Sequence, residues 1–228
     1  LDEAIDAYNK ALSLNPNYAE VNTNIGVVLL QKGMLDEAIE AHKKSIALKP
    51  DFVKAHHNLM FPLLNSGKLK EGLDENEWRW KTDELISSQR YFLQPIWDGK
   101  QSLNGKRILL WSEQGIGDTL NWSSCIPLIT SQAKHCILEC PKKLVALLKR
   151  SFPNVEVKAV NISSDLERDD FDFHLPMGSL YKHFIPEITQ NPKPEAYLVP
   201  DPVRVNSWKG RLRSRGKGPY IGVCWKSS

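Results

Sequence analysis

The residues best placed for chemistry in this 228-residue chain lie in one stretch, Glu113-Gln-Gly-Ile-Gly-Asp118-Thr119. Gly115 and Gly117 permit a tight turn and let a ligand approach the backbone. Around them stand two carboxylates, Glu113 and Asp118, the amide of Gln114 and the hydroxyl of Thr119. A positioned carboxylate can take the proton from a hydroxyl as that oxygen forms a new bond. The stretch is not a dinucleotide fingerprint, because Leu120 occupies the third glycine position of GxGxxG. Nor is it a P-loop, which needs Gly-Lys-Ser/Thr. Asp118 is equally suited to a plain helix N-cap.

The elements around this loop predict how it is held. Ile108-Leu-Leu-Trp111 is a short continuous apolar run, the pattern of a strand buried on both faces. Ser112–Gly117 is then a loop, and Asp118 or Thr119 caps a helix running to about Ala133. Further strands are expected at His135–Cys140, Val155–Val160, Phe171–Leu175 and Tyr220–Trp225. Helices are expected from Pro141 to Arg150, near Leu180–Phe184, and from Pro202 to about Arg213. Alternation of strand and helix implies a parallel doubly wound sheet, whose ligands bind at the carboxyl ends of the strands. That rule selects Ser112–Thr119, Glu139–Lys142, His174–Ser179 and Lys226–Ser228. His174, Gly178 and Ser179 should then line the same cleft as the Gly-Asp loop, with His174 equally a satisfied structural histidine.

The first 84 residues follow a different rule, a 34-residue period. Residues 1–16 and 35–50 share nine of sixteen positions, and Asn24/Asn58 and Gly33/Gly67 recur at the same offset. Each unit predicts two helices, with glycine at the turn and Pro50 ending the second. Pro62 falls within a predicted helix and should kink it, while Trp78-Arg79-Trp80 replaces the aliphatic pattern of the last one. Those tryptophans either dock on the following domain or cap the repeats. The pattern resembles the tetratricopeptide repeat (TPR), as half a repeat, a full repeat and a degenerate one. The resemblance implies a groove for a protein or peptide. Asn24 and Asn58 match the asparagine ladder of the O-GlcNAc transferase superhelix, which the repeats also resemble, although asparagine on a polar helix face is common.

Composition narrows the classes. A hydrophobic content of 41% excludes a disordered chain. The longest uncharged run, Thr119–Ala133, falls short of the ~20 apolar residues of a membrane helix. The net charge of +3 divides into −3 over residues 1–100 and +6 over 101–228. Arg204, Lys209, Arg211, Arg213, Arg215 and Lys217 form a basic run, expected to be a solvated helix face rather than a nucleic-acid surface. Cys125, Cys136, Cys140 and Cys224 lack zinc-site spacing and point to reduced, buried thiols and a cytoplasmic setting, with peripheral association at the inner membrane face left open.

Lys106–Leu128, KRILLWSEQGIGDTLNWSSCIPL, resembles the start of the glycosyltransferase family 9 domain, which includes the lipopolysaccharide heptosyltransferases. Repeats, a Trp97-Asp98-Gly99 linker and the Gly-Asp loop together resemble chains in which such a domain follows TPR units. The resemblance implies a fold of TPR solenoid followed by a Rossmann-like parallel sheet, the N-terminal half of a GT-B architecture. The divisions expected are repeats at 1–84, a linker at 85–104 packed by Tyr91, Phe92, Ile96 and Trp97, the sheet domain at 105–218, and the start of a second half at 219–228. It implies a nucleotide-sugar donor, a glycan-type hydroxyl acceptor, no metal, and Asp118 as general base. Glu113 would orient the acceptor or be solvated. Gln114, Gly115, Gly117 and Thr119 would line the acceptor side, and Lys226, Ser227 and Ser228 would begin the donor phosphate loop. Ser123-Ser124 departs from the arginine that related sequences carry. The alternative is a TPR interaction scaffold with a non-catalytic α/β domain. The pattern also reads as a piece cut from a longer protein, so residues 1–228 alone are expected not to transfer sugar.

Overall fold

The computed structural model describes residues 1–161, 165–185 and 196–220. The N-terminal part is a stack of helices, each packed on the next in sequence: α1 (Asp2–Leu14), α2 (Ala19–Gln31), α3 (Leu35–Leu48), α4 (Val53–Asn65) and α5 (Leu69–Asn76). The turns within the repeats fall on Gly33 and Gly67, at φ 76° and 77°, a region that glycine enters without a Cβ clash. α1 and α3 each stop two residues before a proline. The residue preceding it, Asn15 or Lys49, is extended, as the proline ring demands. α4 continues past Pro62 to Asn65, with Ser66 N–H still bonded to the Pro62 carbonyl at 3.0 Å.

The close approach of α2 and α3 depends on Gly26. A Cβ there would lie 2.6 Å from the His42 ring. Ser45 donates to the Ala19 carbonyl at 2.7 Å and receives Thr23 Oγ1 at 2.8 Å, so these buried hydroxyls are satisfied. His42 is not satisfied. It is fully buried and neither ring nitrogen has a partner among the described residues.

After α5 the chain tightens into a 3-10 turn, Glu77–Lys81, then a single helical turn α6 (Asp83–Ile86). The two expected uses of the tryptophans are divided between them. Trp78 stacks on His56 of α4, with ring centroids 3.7 Å apart, whereas Trp80 lies 5.5 Å from Trp111 of the next unit. That unit is a four-stranded, all-parallel sheet of β1 (Arg107–Trp111), β2 (His135–Cys140), β3 (Glu156–Ala159) and β4 (Phe173–Pro176), in the order β3-β2-β1-β4. β1 is central, pairing Leu109 with Ile137 on one side and with His174 on the other. The strand order reverses between β1 and β4, where open parallel sheets form a crevice.

One face of the sheet carries the larger core, in which Ile108, Leu110 and Leu138 meet Ile126, Ile129 and Leu148. The other face, Leu109, Trp111, Ile137 and Phe171, is covered by Trp80 and Phe92 from the incoming chain. That chain also extends the sheet edge. Trp97 N–H bonds the His174 carbonyl at 2.9 Å, and His174 N–H bonds Pro95 at 3.2 Å. Trp97 is buried as expected, but Tyr91 and Ile96 are 68% and 58% exposed, so neither packs the linker.

The long helix expected after the Gly-Asp loop is in fact broken. α7 (Ile116–Trp122) passes through a 3-10 turn, Ser123–Cys125, into α8 (Ile126–Thr130). Ser123 and Ser124 return their hydroxyls to the carbonyls of Thr119 and Asn121, and Pro127 lacks an N–H to continue the ladder. α9 (Val145–Ser151) and α10 (Leu180–His183) follow their strands. α11 (Pro202–Arg213) starts at Asp201, whose carboxylate accepts from Val203 and Arg204 N–H, and it buries none of its residues. The basic run is therefore a solvated helix face and its exit. Cys125, Cys136 and Cys140 are buried, while Cys224 and residues 221–225 of the strand expected at Tyr220–Trp225 lie outside the described residues. No helix among the described residues is long and apolar enough to cross a membrane.

Burial holds the His42 pKa down to about 4, against 6.5 when exposed, and holds that of His174 equally low. The unfolded chain therefore binds more protons between those values, and stability rises with pH across the interval. Full titration of one such group changes stability by on the order of 3 kcal/mol. Urea unfolding followed from pH 7.5 to 4.5 should show this loss, and His42→Phe should flatten roughly half of the histidine share. An identical pH slope in the variant would refute the assignment.

Candidate functional site

The Gly-Asp loop leaves the carboxyl end of the central strand β1, beside the strand-order reversal. Its helix begins earlier than the sequence suggests. Gly115 is the N-cap, and Asp118 sits three residues inside, where its Oδ2 accepts the Gly115 N–H at 3.2 Å. The expected cap at Asp118 or Thr119 is thus displaced by about one turn, because a glycine N-cap leaves the carboxylate free to reach back. Asp118 is exposed, as are Gly115 and Gly117. Thr119 turns inward, fully buried, and donates to the Gly115 carbonyl at 2.9 Å.

Glu113 is neither solvated nor open to an acceptor. Its side chain is 0% exposed, and Oε1 accepts from Arg79 Nη2 at 3.1 Å and from Gly178 N–H at 3.0 Å. Burial pushes its carboxyl above the usual range, opposed by the Arg79 charge and the N–H donors. Arg79 comes from the 3-10 turn that ends the repeats and is itself 0% exposed. It also donates to Ser179 Oγ at 2.9 Å, to Glu77 at 2.8 Å and to the Asn76 carbonyl at 3.2 Å. Ser179 Oγ in turn donates a hydrogen bond to Glu77 at 2.9 Å. Gly178 is required for this approach, since a Cβ there would lie 2.4 Å from Glu113 Oε1.

His174 is buried and receives Trp111 Nε1–H on Nδ1 at 3.3 Å, which leaves the ring neutral with its proton on Nε2. Desolvation, with the Arg90 charge, holds its pKa down to about 4. This places His174 in a structural setting within the sheet.

Two cavities flank the loop. An open cleft of about 770 Å³ lies at the carboxyl ends of β1 and β2, lined by Ser87, Arg90, Ser112, Gln114, Pro141 and Asp165. A second, of about 600 Å³, lies along the β4 edge between Trp80, Phe92, Trp97, Trp111, His174 and Ser179. The two cavities adjoin each other, sharing Gln89, Arg90 and Tyr91 in their walls. Gln114 and Glu113 line the first, whereas His174 and Ser179 line the second. The Arg79 guanidinium, bonded to both Glu113 and Ser179, lies between them. Lys226, Ser227 and Ser228 fall outside the described residues.

Glu139, which opens the selected stretch Glu139–Lys142, and the unremarked Arg90 and Asp165 hold the first cleft's wall. Glu139 is 3% exposed and takes Arg90 Nη1 at 2.6 Å on one oxygen and Arg168 on the other. Arg90 also bonds Asp165 through Nε at 2.8 Å. A single acid inside the apolar run Cys136–Cys140 was the available signal, because a buried carboxylate must find a cation. Among the described residues no cluster of three or more His, Cys, Asp or Glu side chains could hold a metal ion. On the repeats, Asn24 and Asn58 stand at equivalent, partly exposed positions of α2 and α4 and make no side-chain hydrogen bond among the described residues. A hollow of about 420 Å³ between α1, α2 and α3 is lined by Asn22 instead.

Comparison with known proteins supports the N-terminal part directly. A family model described as TPR repeat matches residues 1–33, and one described as Tetratricopeptide repeat matches residues 19–52. The chain is 34% identical over 145 residues to Protein FlbA of Caulobacter vibrioides, covering 58% of this chain and 24% of that protein. It therefore spans only 24% of the length of that curated relative. Among solved structures it is similar to the crystal structure of MamA, at 29% identity and a TM-score of 0.33 over 37% of this chain and 50% of that one. It is also similar to a Thermobaculum terrenum O-GlcNAc transferase mutant, at 19% identity and a TM-score of 0.30 over 68% of this chain and 30% of that one. The N-terminal residues carry tetratricopeptide repeats, and a four-stranded parallel sheet follows them.

Proposed function

We propose that this chain carries the acceptor side of a TPR-coupled glycosyltransferase of the family 9 type. The observation that supports this most is the exposed Asp118 carboxylate on a glycine loop leaving the central strand of a parallel sheet, at its strand-order reversal. In this reading Asp118 takes the proton from an acceptor hydroxyl while that oxygen bonds the anomeric carbon and the nucleoside diphosphate departs. Its one hydrogen bond among the described residues, at 3.2 Å from Gly115 N–H, is long enough to be given up to a substrate. Gln114 and Ser112 line the adjoining cleft and supply hydrogen-bonding groups for a polyhydroxylated acceptor. Lys226, Ser227 and Ser228 are proposed to start the donor diphosphate loop, with no metal called for. The repeats would present a protein or peptide, with the unpaired amides of Asn24 and Asn58 directed at an extended backbone.

A second reading has its own observation. Thr119, Glu113, Gly178 and Ser179 spend their polar groups inside the protein, as expected of a scaffold whose α/β unit only supports the repeats.

Sugar transfer by the full-length protein separates the two. Asp118→Asn keeps an oxygen for the Gly115 N–H but removes the base, and turnover should fall roughly 10²- to 10⁴-fold with an unchanged melting temperature. Undiminished turnover would remove Asp118 from the chemistry, and no transfer by the parent protein would favour the scaffold. Asn24→Ala with Asn58→Ala should weaken capture of a peptide partner in a pull-down; equal capture by parent and variant would rule out an asparagine ladder.

A further inference from the structure

The repeats do more than adjoin the sheet domain. Arg79 belongs to the last turn of the repeat array, yet two of its hydrogen bonds end on the other unit, at Glu113 after β1 and Ser179 after β4. The same two loops are tied to each other by Gly178 N–H on Glu113. Further links surround the arginine. Asn76 Nδ2 donates to the Gly178 carbonyl at 3.2 Å, Lys182 of α10 pairs with Asp74 of α5 at 2.9 Å, and Trp80 packs on Trp111. Without the repeats, Glu113 would keep the Gly178 N–H but lose the cation that pairs with its buried carboxylate.

We propose that Arg79 is a positioning residue through which the repeat array completes the candidate site: it sets the start of the Gly-Asp loop against the loop after β4. Removing one partner of a buried ion pair leaves the other uncompensated, so the α/β unit by itself does not hold this geometry. The repeats are then part of the site, and whatever lies in their groove is held in fixed register with Asp118. What the site does rests on the reading above; that the repeats shape it does not.

Backbone amide exchange on the full-length protein tests the proposal without any substrate. In Arg79→Gln, amides of 113–118 and 177–179 should exchange roughly tenfold faster or more, while those of 108–111 and of α2 and α3 stay as in the parent. Arg79→Lys, which keeps one charge but loses the fork, should recover part of the protection. Ser179→Ala leaves the ion pair intact and is expected to fold in any case; it should loosen 177–179 and spare 113–118. Unchanged exchange at both loops would overturn the proposal. So would an equal rise across β1 and β2, which would make Arg79 a general stabiliser. Where the parent transfers sugar, Arg79→Gln should lower kcat tenfold or more with KM nearly kept, and Arg79→Lys should restore it in part. A parent without transfer removes the enzymatic reading and leaves the exchange result standing.

Discussion

A fully buried guanidinium is the constraint on which the rest of the molecule turns. Arg79 is always charged, and taking it out of water costs far more than one contact returns, so it must gather several acceptors at once. It finds them on three separate segments: its own turn, the loop after β1 and the loop after β4. The residues around it follow from that demand. Gly178 has no side chain because Glu113 Oε1 occupies the space, Ser179 is small and hydroxylic because it relays between Arg79 and Glu77, and Trp80 lies flat beneath the guanidinium at 4.7 Å. A solenoid end and a sheet domain, which need only be joined by a linker, are thereby fastened side by side.

The same device recurs along the sheet's second face. Doubly wound sheets normally cover both faces with helices, but here the chain leaving the repeats covers one face with Trp80 and Phe92 and lays Pro95–Trp97 along the β4 edge. Arg90, on that same segment, reaches Glu139 at the end of β2 and Asp165 beyond β3. The segment is thus anchored at intervals by charge and aromatic packing, and the open cleft lies between its anchors and the strand ends. Cleft and anchoring have one cause, an irregular covering strand in place of a helix.

Within this frame the Gly-Asp loop divides into an inner and an outer part. Glu113 and Thr119 face inward and hold the loop, whereas Gln114, Gly115, Gly117 and Asp118 remain open. That division displays the exposed Asp118 carboxylate on a loop held from within by Glu113 and Thr119. The loop's polar groups are thereby shared between holding the fold and facing the cleft.

What could be read from residues alone were features with a local cause. The 34-residue period, the turns at Gly33 and Gly67, the stops before Pro16 and Pro50, the buried strand at 108–111 and the exposed basic helix all follow from periodicity, proline and glycine stereochemistry, and charge. Tertiary structure decided whatever depends on partners distant in sequence. Glu113 and Arg79 are 34 positions apart, and Arg79 and Ser179 are 100 apart, so nothing near either marks it as buried. The placing of His174 and Ser179 along the β4 edge has the same origin, whereas the break in the helix after Trp122 is local, set by serine hydroxyls that return to carbonyls one turn back and by Pro127. Local stereochemistry is written in neighbouring residues; the pairing of buried charges is settled only when the chain closes on itself and each ion must find its counterpart.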